Sequence, residues 1–174
     1  MNLPYGVDKG WNRYWTYREA SPTPENGVGM EYTPSVCFNG LQDTVILKQS
    51  YEEYKSNVDS ERSKDTSVVI SAEKLVSGTV VTITAQMTNG YDSELTDVSS
   101  WFVIYEDLGS PGAHYVVRDI VQGPKLSSFA AGETQNFNIE LSLTDSDMSK
   151  VQAVVLLQRQ DLSEVLQATL ATSK

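Results

Sequence analysis

The chain has 174 residues, 40% of them hydrophobic, 9% aromatic and 21% charged, enough apolar material for one sizeable core or two small ones. Its 13 basic and 23 acidic side chains leave a net charge of −10 and a pI near 4.5, which argues against nucleic acid or an anionic membrane surface as partner. No run approaches the roughly 20 apolar residues that span a bilayer, and a single Cys with a single His excludes an internal disulfide and any multi-cysteine zinc site.

The opening Met1-Asn-Leu-Pro-Tyr-Gly6 has neither the basic patch nor the apolar run of a secretory signal, so the expectation is a cytoplasmic protein or a mature or trimmed piece. Trp11, Tyr14, Trp15 and Arg18 follow at i, i+3, i+4, i+7, one face of a helix. Ser21 to Gly27, with two prolines, ends it. Tyr32-Thr-Pro-Ser-Val-Cys-Phe-Asn-Gly40 reads as a short apolar strand closing in an Asn-Gly turn. Leu47, Tyr51, Tyr54 and Val58 then predict a helix over about 45–62, and Asp59 to Asp65 a charged linker.

From Thr66 the hydrophobic period changes from 3.6 to 2. The acidity moves with it: residues 1–64 carry 7 basic and 9 acidic groups, net −2, whereas 65–174 carry 6 and 14, net −8. A boundary is therefore expected at 64/65, with an N-terminal α/β segment over 1–64 and a β-sandwich over 65–174. Seven strands are predicted: Ser67–Glu73, Val81–Met87, Ser99–Tyr105, His114–Gln122, Asn136–Leu143, Val151–Arg159 and Val165–Thr172. Ser99–Tyr105 is apolar on both faces and so central. Leu108–Gly112 reads as a loop and Gly123-Pro124 as a break. The expected fold is mainly β, a seven-stranded antiparallel immunoglobulin-like sandwich of two sheets.

Four blocks, Trp101-Phe-Val-Ile-Tyr-Glu-Asp107, His114-Tyr-Val-Val-Arg-Asp-Ile120, Ala131-Gly-Glu-Thr-Gln-Asn-Phe137 and Val151–Leu157 with Glu164–Ala168, carry a family likeness. Over about 66–172 the chain resembles the sandwich of exported proteins related to outer-membrane lipoproteins in which a thioredoxin-like domain precedes an immunoglobulin-like one. The resemblance implies that Tyr32–Gly40 is the late part of the thioredoxin-like fold, that Thr33-Pro34 is its cis bond, and that the helix near 45–62 is its last. It also implies an extracytoplasmic place: secreted, periplasmic or cell-surface. A complete thioredoxin-like domain needs a Cys-x-x-Cys motif, which this sequence lacks; the chain is either a fragment or a relative without that half.

Cys37, between Val36 and Phe38, is a lone thiol that would act as a nucleophile or redox group only with a lowered pKa; its ordinary reading is a small buried hydrophobe. His114 is a base or pH switch in the functional reading and a surface or backbone-bonded ring in the ordinary one. Arg118 is expected to pair across strands with Glu106 or Asp107. Asp92 and Glu94 with Asp97, and Asp145 with Asp147, offer oxygen ligands at spacing two, as a Ca²⁺ loop does, without the EF-hand pattern; solvated turns are the ordinary reading. Trp11, Tyr14 and Trp15, with Tyr17, read as an aromatic platform for a sugar or peptide, as core, or as an interface to another chain.

No phosphate-binding, hydrolase or zinc-protease motif is present in the sequence. The expectation is a non-catalytic extracytoplasmic module for protein interaction or surface assembly, with no cofactor, no resident metal and a protein partner or a second copy. Two alternatives stay open: a truncated or degenerate thiol-disulfide protein, and a subunit of a surface polymer built by strand addition.

Overall fold

The computed structural model describes residues 35–36, 38–40, 46–47, 50–110 and 113–174. Before the sandwich, β1 (Ser35–Val36) pairs antiparallel with β2 (Ile46–Leu47), and α1 runs over Tyr51–Arg62. The helix begins six residues later than its apolar stripe predicts. Ser50 is the reason: its hydroxyl accepts from the Glu53 amide, and the Glu53 carboxylate accepts from the Ser50 amide at 2.7 Å, a capping box that fixes the first turn. Leu47 is left in β2, no residue of α1 is buried, and Tyr51 and Val58 of the stripe face water. Asp59–Arg62, expected as linker, are the last helical turn. These elements are too few to show a thioredoxin-like half.

The sandwich begins at β3 (Val68–Ser77) and β4 (Val80–Asn89), a hairpin paired in register through all ten positions. β5 (Leu95–Ser110) and β6 (Ala113–Phe129) form a second, longer hairpin. Then come β7 (Thr134–Ser142), a 3-10 turn at Met148–Lys150, β8 (Val151–Arg159), β9 (Val165–Leu170) and β10 (Thr172–Ser173). The strand orders are β10-β3-β4-β7 and β6-β5-β8-β9. The fold is a mainly β sandwich. Its eight strands exceed the expected seven because the last predicted strand is cut at Ala171: Val165–Leu170 stays beside β8, and Thr172–Ser173 crosses to the other sheet and lies parallel to β3. The sandwich is therefore not wholly antiparallel.

Two punctuation signals misled. Leu108–Ser110, expected in a loop, continue β5, and β6 runs straight through Gly123-Pro124. Proline lacks the N–H that a central strand must donate, but β6 is an edge strand. The register passes from Ser99↔Lys125 to Trp101↔Gln122, so Gly123 and Pro124 together oppose Ser100 in a β-bulge. Gly123 is required there: a Cβ would stand 2.2 Å from the Ser100 hydroxyl and 3.1 Å from the Phe102 ring.

Alternation fills the interior. Val81, Ile83, Ala85 and Met87 of β4 and Phe137 of β7 join one core cluster with Val98, Phe102 and Ile104 of β5 and Val151, Ala153, Val155 and Leu157 of β8. Phe102 and Phe137 meet with ring centroids 5.9 Å apart. Two charged side chains also lie inside. Glu106, 2% exposed, accepts from the Arg118 Nε at 2.7 Å and from the Asp147 amide at 2.9 Å. Arg118 thus pairs with the first of its two expected partners. Lys74, 6% exposed, points inward and donates to the Val151 carbonyl, and burial pushes its ammonium below the usual lysine range.

Candidate functional site

The second sheet presents two unlike faces. Its inner side is the core; its outer side follows from the register. Trp101, Val103 and Tyr105 of β5 stand opposite Leu156, Val154 and Gln152 of β8. Val103 and Tyr105 are flanked on the other side by Ile120 and Val117 of β6. Leu170 and Ala168 of β9 continue the rows beside Val154 and Leu156. The result is an apolar outer face, most of it half-buried, with Leu170 53% exposed.

The β5–β6 hairpin carries this face past the sheet. Pairing of β5 with β8 ends at Glu106, whereas its pairing with β6 continues through Asp107↔Tyr115 to Ser110↔Ala113. On the projecting part Tyr115 is 70% exposed, and Val117, opposite Tyr105 where the sheet is still three strands wide, is 43% exposed. The Tyr115 ring meets Tyr105 edge-on at 5.7 Å. Burial, with Tyr115 and Asp107 adding, raises the Tyr105 hydroxyl above the usual tyrosine range.

At the opposite end the outer face is closed over. Ser99 and Gln158 pair on that side and are buried. The turn after β8 folds back there: the Gln158 side-chain Nε2 donates to the Leu162 carbonyl at 3.4 Å and the Gln160 backbone N–H to that of Asp97 at 2.7 Å. Upon this turn sits Asn39-Gly40, whose Asn39 carbonyl accepts from the Val165 amide at 3.1 Å. Gly40 has φ +100, and a Cβ would come within 2.6 Å of the Leu162 carbonyl oxygen, so glycine alone allows this approach. A polar cleft of about 360 Å³ lies beside it, bounded by Glu61, Arg62 and Lys64 at the end of α1 and by Glu164–Ala168.

The predicted site residues fare as follows. Trp11, Tyr14, Trp15, Pro34 and Cys37 lie outside the described residues. His114 belongs to β6, and its side chain is outside the description. The acidic loops do not converge. Asp147 caps the 3-10 turn, its Oδ1 accepting from the Ser149 hydroxyl at 2.6 Å and amide at 3.1 Å, which holds its carboxyl below the usual range. Asp145 faces solvent, Asp92 is exposed, and Glu94 accepts from the Ser128 hydroxyl. Among the described residues no three His, Cys, Asp or Glu gather closely enough to hold an ion, and no described helix is long and apolar enough to cross a membrane. Tyr115 and Val117 fall within the predicted strand His114–Gln122, but their exposure was missed because alternation along one strand does not say which of its faces is left uncovered.

No protein-family model matches the chain, and no curated protein matches it. Among solved structures, a domain of the outer membrane lipoprotein Omp28 from Porphyromonas gingivalis is similar at a TM-score of 0.48 and 15% identity, covering 64% of this chain and 91% of that one. The Pseudomonas fluorescens alkylpurine DNA glycosylase AlkC gives 0.42 and 12%, covering 68% of this chain and 33% of that one. The Bacillus subtilis sporulation control protein Spo0M gives 0.36 and 13%, covering 64% and 50%. At these scores and identities they establish neither a family nor an activity.

Proposed function

We propose that this chain is a non-catalytic module of the cell envelope that works by protein contact or surface assembly. The observation that carries the reading is the end of the β5–β6 hairpin, where Tyr115 and Val117 are exposed beside Tyr105. Exposed aromatics on a rigid element are the usual anchors of protein interfaces. The strand arrangement supports an immunoglobulin-like version of it: β3-β4-β7 faces β5-β8-β9, with β6 added beside β5. The envelope location rests on the residue blocks that resemble exported lipoprotein relatives.

The test places a photo-crosslinking residue at 115 in the full chain, in the cells that make it, and fractionates them. A discrete protein adduct in the envelope fraction, lost when Val117→Lys is added, is the expected result. Recovery in the cytoplasm with no adduct overturns the proposal. A thiol-disulfide activity abolished by Cys37→Ser would put the redox alternative in its place.

A further inference from the structure

An unpaired strand edge is a template for a further strand, and soluble sheets ordinarily blunt theirs. Three edges of this sandwich are blunted or taken. β6 carries Pro124, the bulge at Gly123-Pro124 and further register shifts. On the β9 edge the Val165 amide goes to the Asn39 carbonyl and the Ala168 amide to the Gln167 side chain. On the β3 edge Thr66 takes the Val68 amide, while Gln167, Thr172 and Lys174 bond the carbonyls of Val68, Ala72 and Lys74. The fourth edge, β7, has no such device. It pairs with β4 without a register shift and holds no proline, glycine or lysine. The Asn89 amide bonds the Glu133 carbonyl at one end of this pairing and the Leu143 amide bonds the Thr79 carbonyl at the other. Alternation therefore turns the backbone groups of Thr134, Asn136, Asn138, Glu140 and Ser142 away from β4. Among the described residues none takes these outward amides and carbonyls.

We infer that β7 is the interface of a closed dimer, in which it pairs antiparallel with β7 of a second copy across a two-fold axis. The strand is complementary to itself. One register pairs every outward position: Asn138 meets Asn138 of the partner subunit, Asn136 meets Glu140 of the partner subunit, and Thr134 meets Ser142 of the partner subunit. The Gln86 side chain already donates to the Asn136 side-chain oxygen at 3.2 Å, which leaves the Asn136 NH2 to donate to the carboxylate across the axis. A slip that centres the axis on Glu140 loses pairs and sets two carboxylates side by side. On the inner side, Ile139 and Leu141 are half-buried at the margin of the core. The same register lays Ile139 against Phe137 of the partner subunit, so the apolar layer continues from one copy into the next. This dimer stands apart from the proposed function: it uses the other sheet from Tyr115, and either can fail without the other.

Light scattering on the full chain tests it, in ~0.15 M salt, where the net charge of −10 on each copy is screened beyond about 8 Å. The mass should be twice 19.2 kDa. Asn138 is exposed and sits on the axis, so each of Asn138→Lys and Asn138→Asp sets like charges against each other. Each variant should run at half the wild-type mass with its β-sheet circular dichroism unchanged. Mixed in equal amounts, the two should recover the full mass, because opposite charges then meet. A wild type that stays monomeric as its concentration rises overturns the proposal, as does a dimer that both variants leave intact or a mixture that stays monomeric. A mass that keeps climbing with concentration also overturns it, by making the contact an open, head-to-tail one.

Discussion

The two sheets share one core and meet the outside in opposite ways. Across the outer face of the first, Thr82, Thr84, Gln86 and Thr88 of β4 stand beside Glu140, Asn138, Asn136 and Thr134 of β7. These residues bond to one another, Gln86 to Asn136 at 3.2 Å and Thr88 to Thr134 at 2.9 Å. The second sheet puts Trp101, Val103, Val154, Leu156 and Leu170 in the corresponding place. The β pleat accepts either set, so it is the side chains alone that make the β4–β7 face polar and the β5–β8 face apolar.

Substitutions that enter this contrast from inside should have the largest effect. Phe102→Ala, at a residue with no exposure, removes the contact that ties β5 to Phe137 of the opposite sheet and should cost about 3 to 5 kcal/mol in urea unfolding. Charging the two outer faces should then separate them. Val154→Lys is expected to cost about 1 to 2 kcal/mol, and Thr84→Lys under about 0.5 kcal/mol, in the same assay. Equal costs would erase the distinction between the faces.

One substitution is expected to act in the opposite direction. Lys74→Met should stabilise the protein by about 1 kcal/mol near neutral pH, since a buried ammonium with only a carbonyl partner is replaced by an apolar chain of similar length. Because burial lowers the folded-state pKa of Lys74, the unfolded chain holds that proton to higher pH. Wild type should therefore gain stability as pH rises from the lowered value towards the ordinary lysine pKa of about 10.5. Urea midpoints taken up to that pH should rise in wild type and lack this component in Lys74→Met.

Much of the interior was legible because period-2 alternation is enforced by burial: Val81, Ile83, Ala85 and Met87 all face the core as read. The inward position of Lys74 follows the same parity as Val68 and Ala72, although its charge hides it. The two-sided apolar run of β5 correctly marked a central strand, between β6 and β8, but could not tell which second surface it faced. What local sequence could not decide were events settled by position in the sheet. Pro124 breaks a strand in isolation and is harmless on an edge with a bulge. The crossing of the chain at Ala171 is set by the neighbour each half finds, β8 before it and β3 after it.

That crossing gives the molecule a direction of strength. β10 runs parallel to β3, held by Thr172↔Glu73 and Ser173↔Lys74 and by the Lys174 amide on the Lys74 carbonyl at 3.0 Å. A pull between the chain entering β3 at Val68 and the C-terminal end of the sandwich drags these neighbours past each other lengthwise. Their bonds are then loaded together in shear instead of being unzipped one by one, so tension along this line meets its resistance where the first and last strands of the sandwich lie side by side.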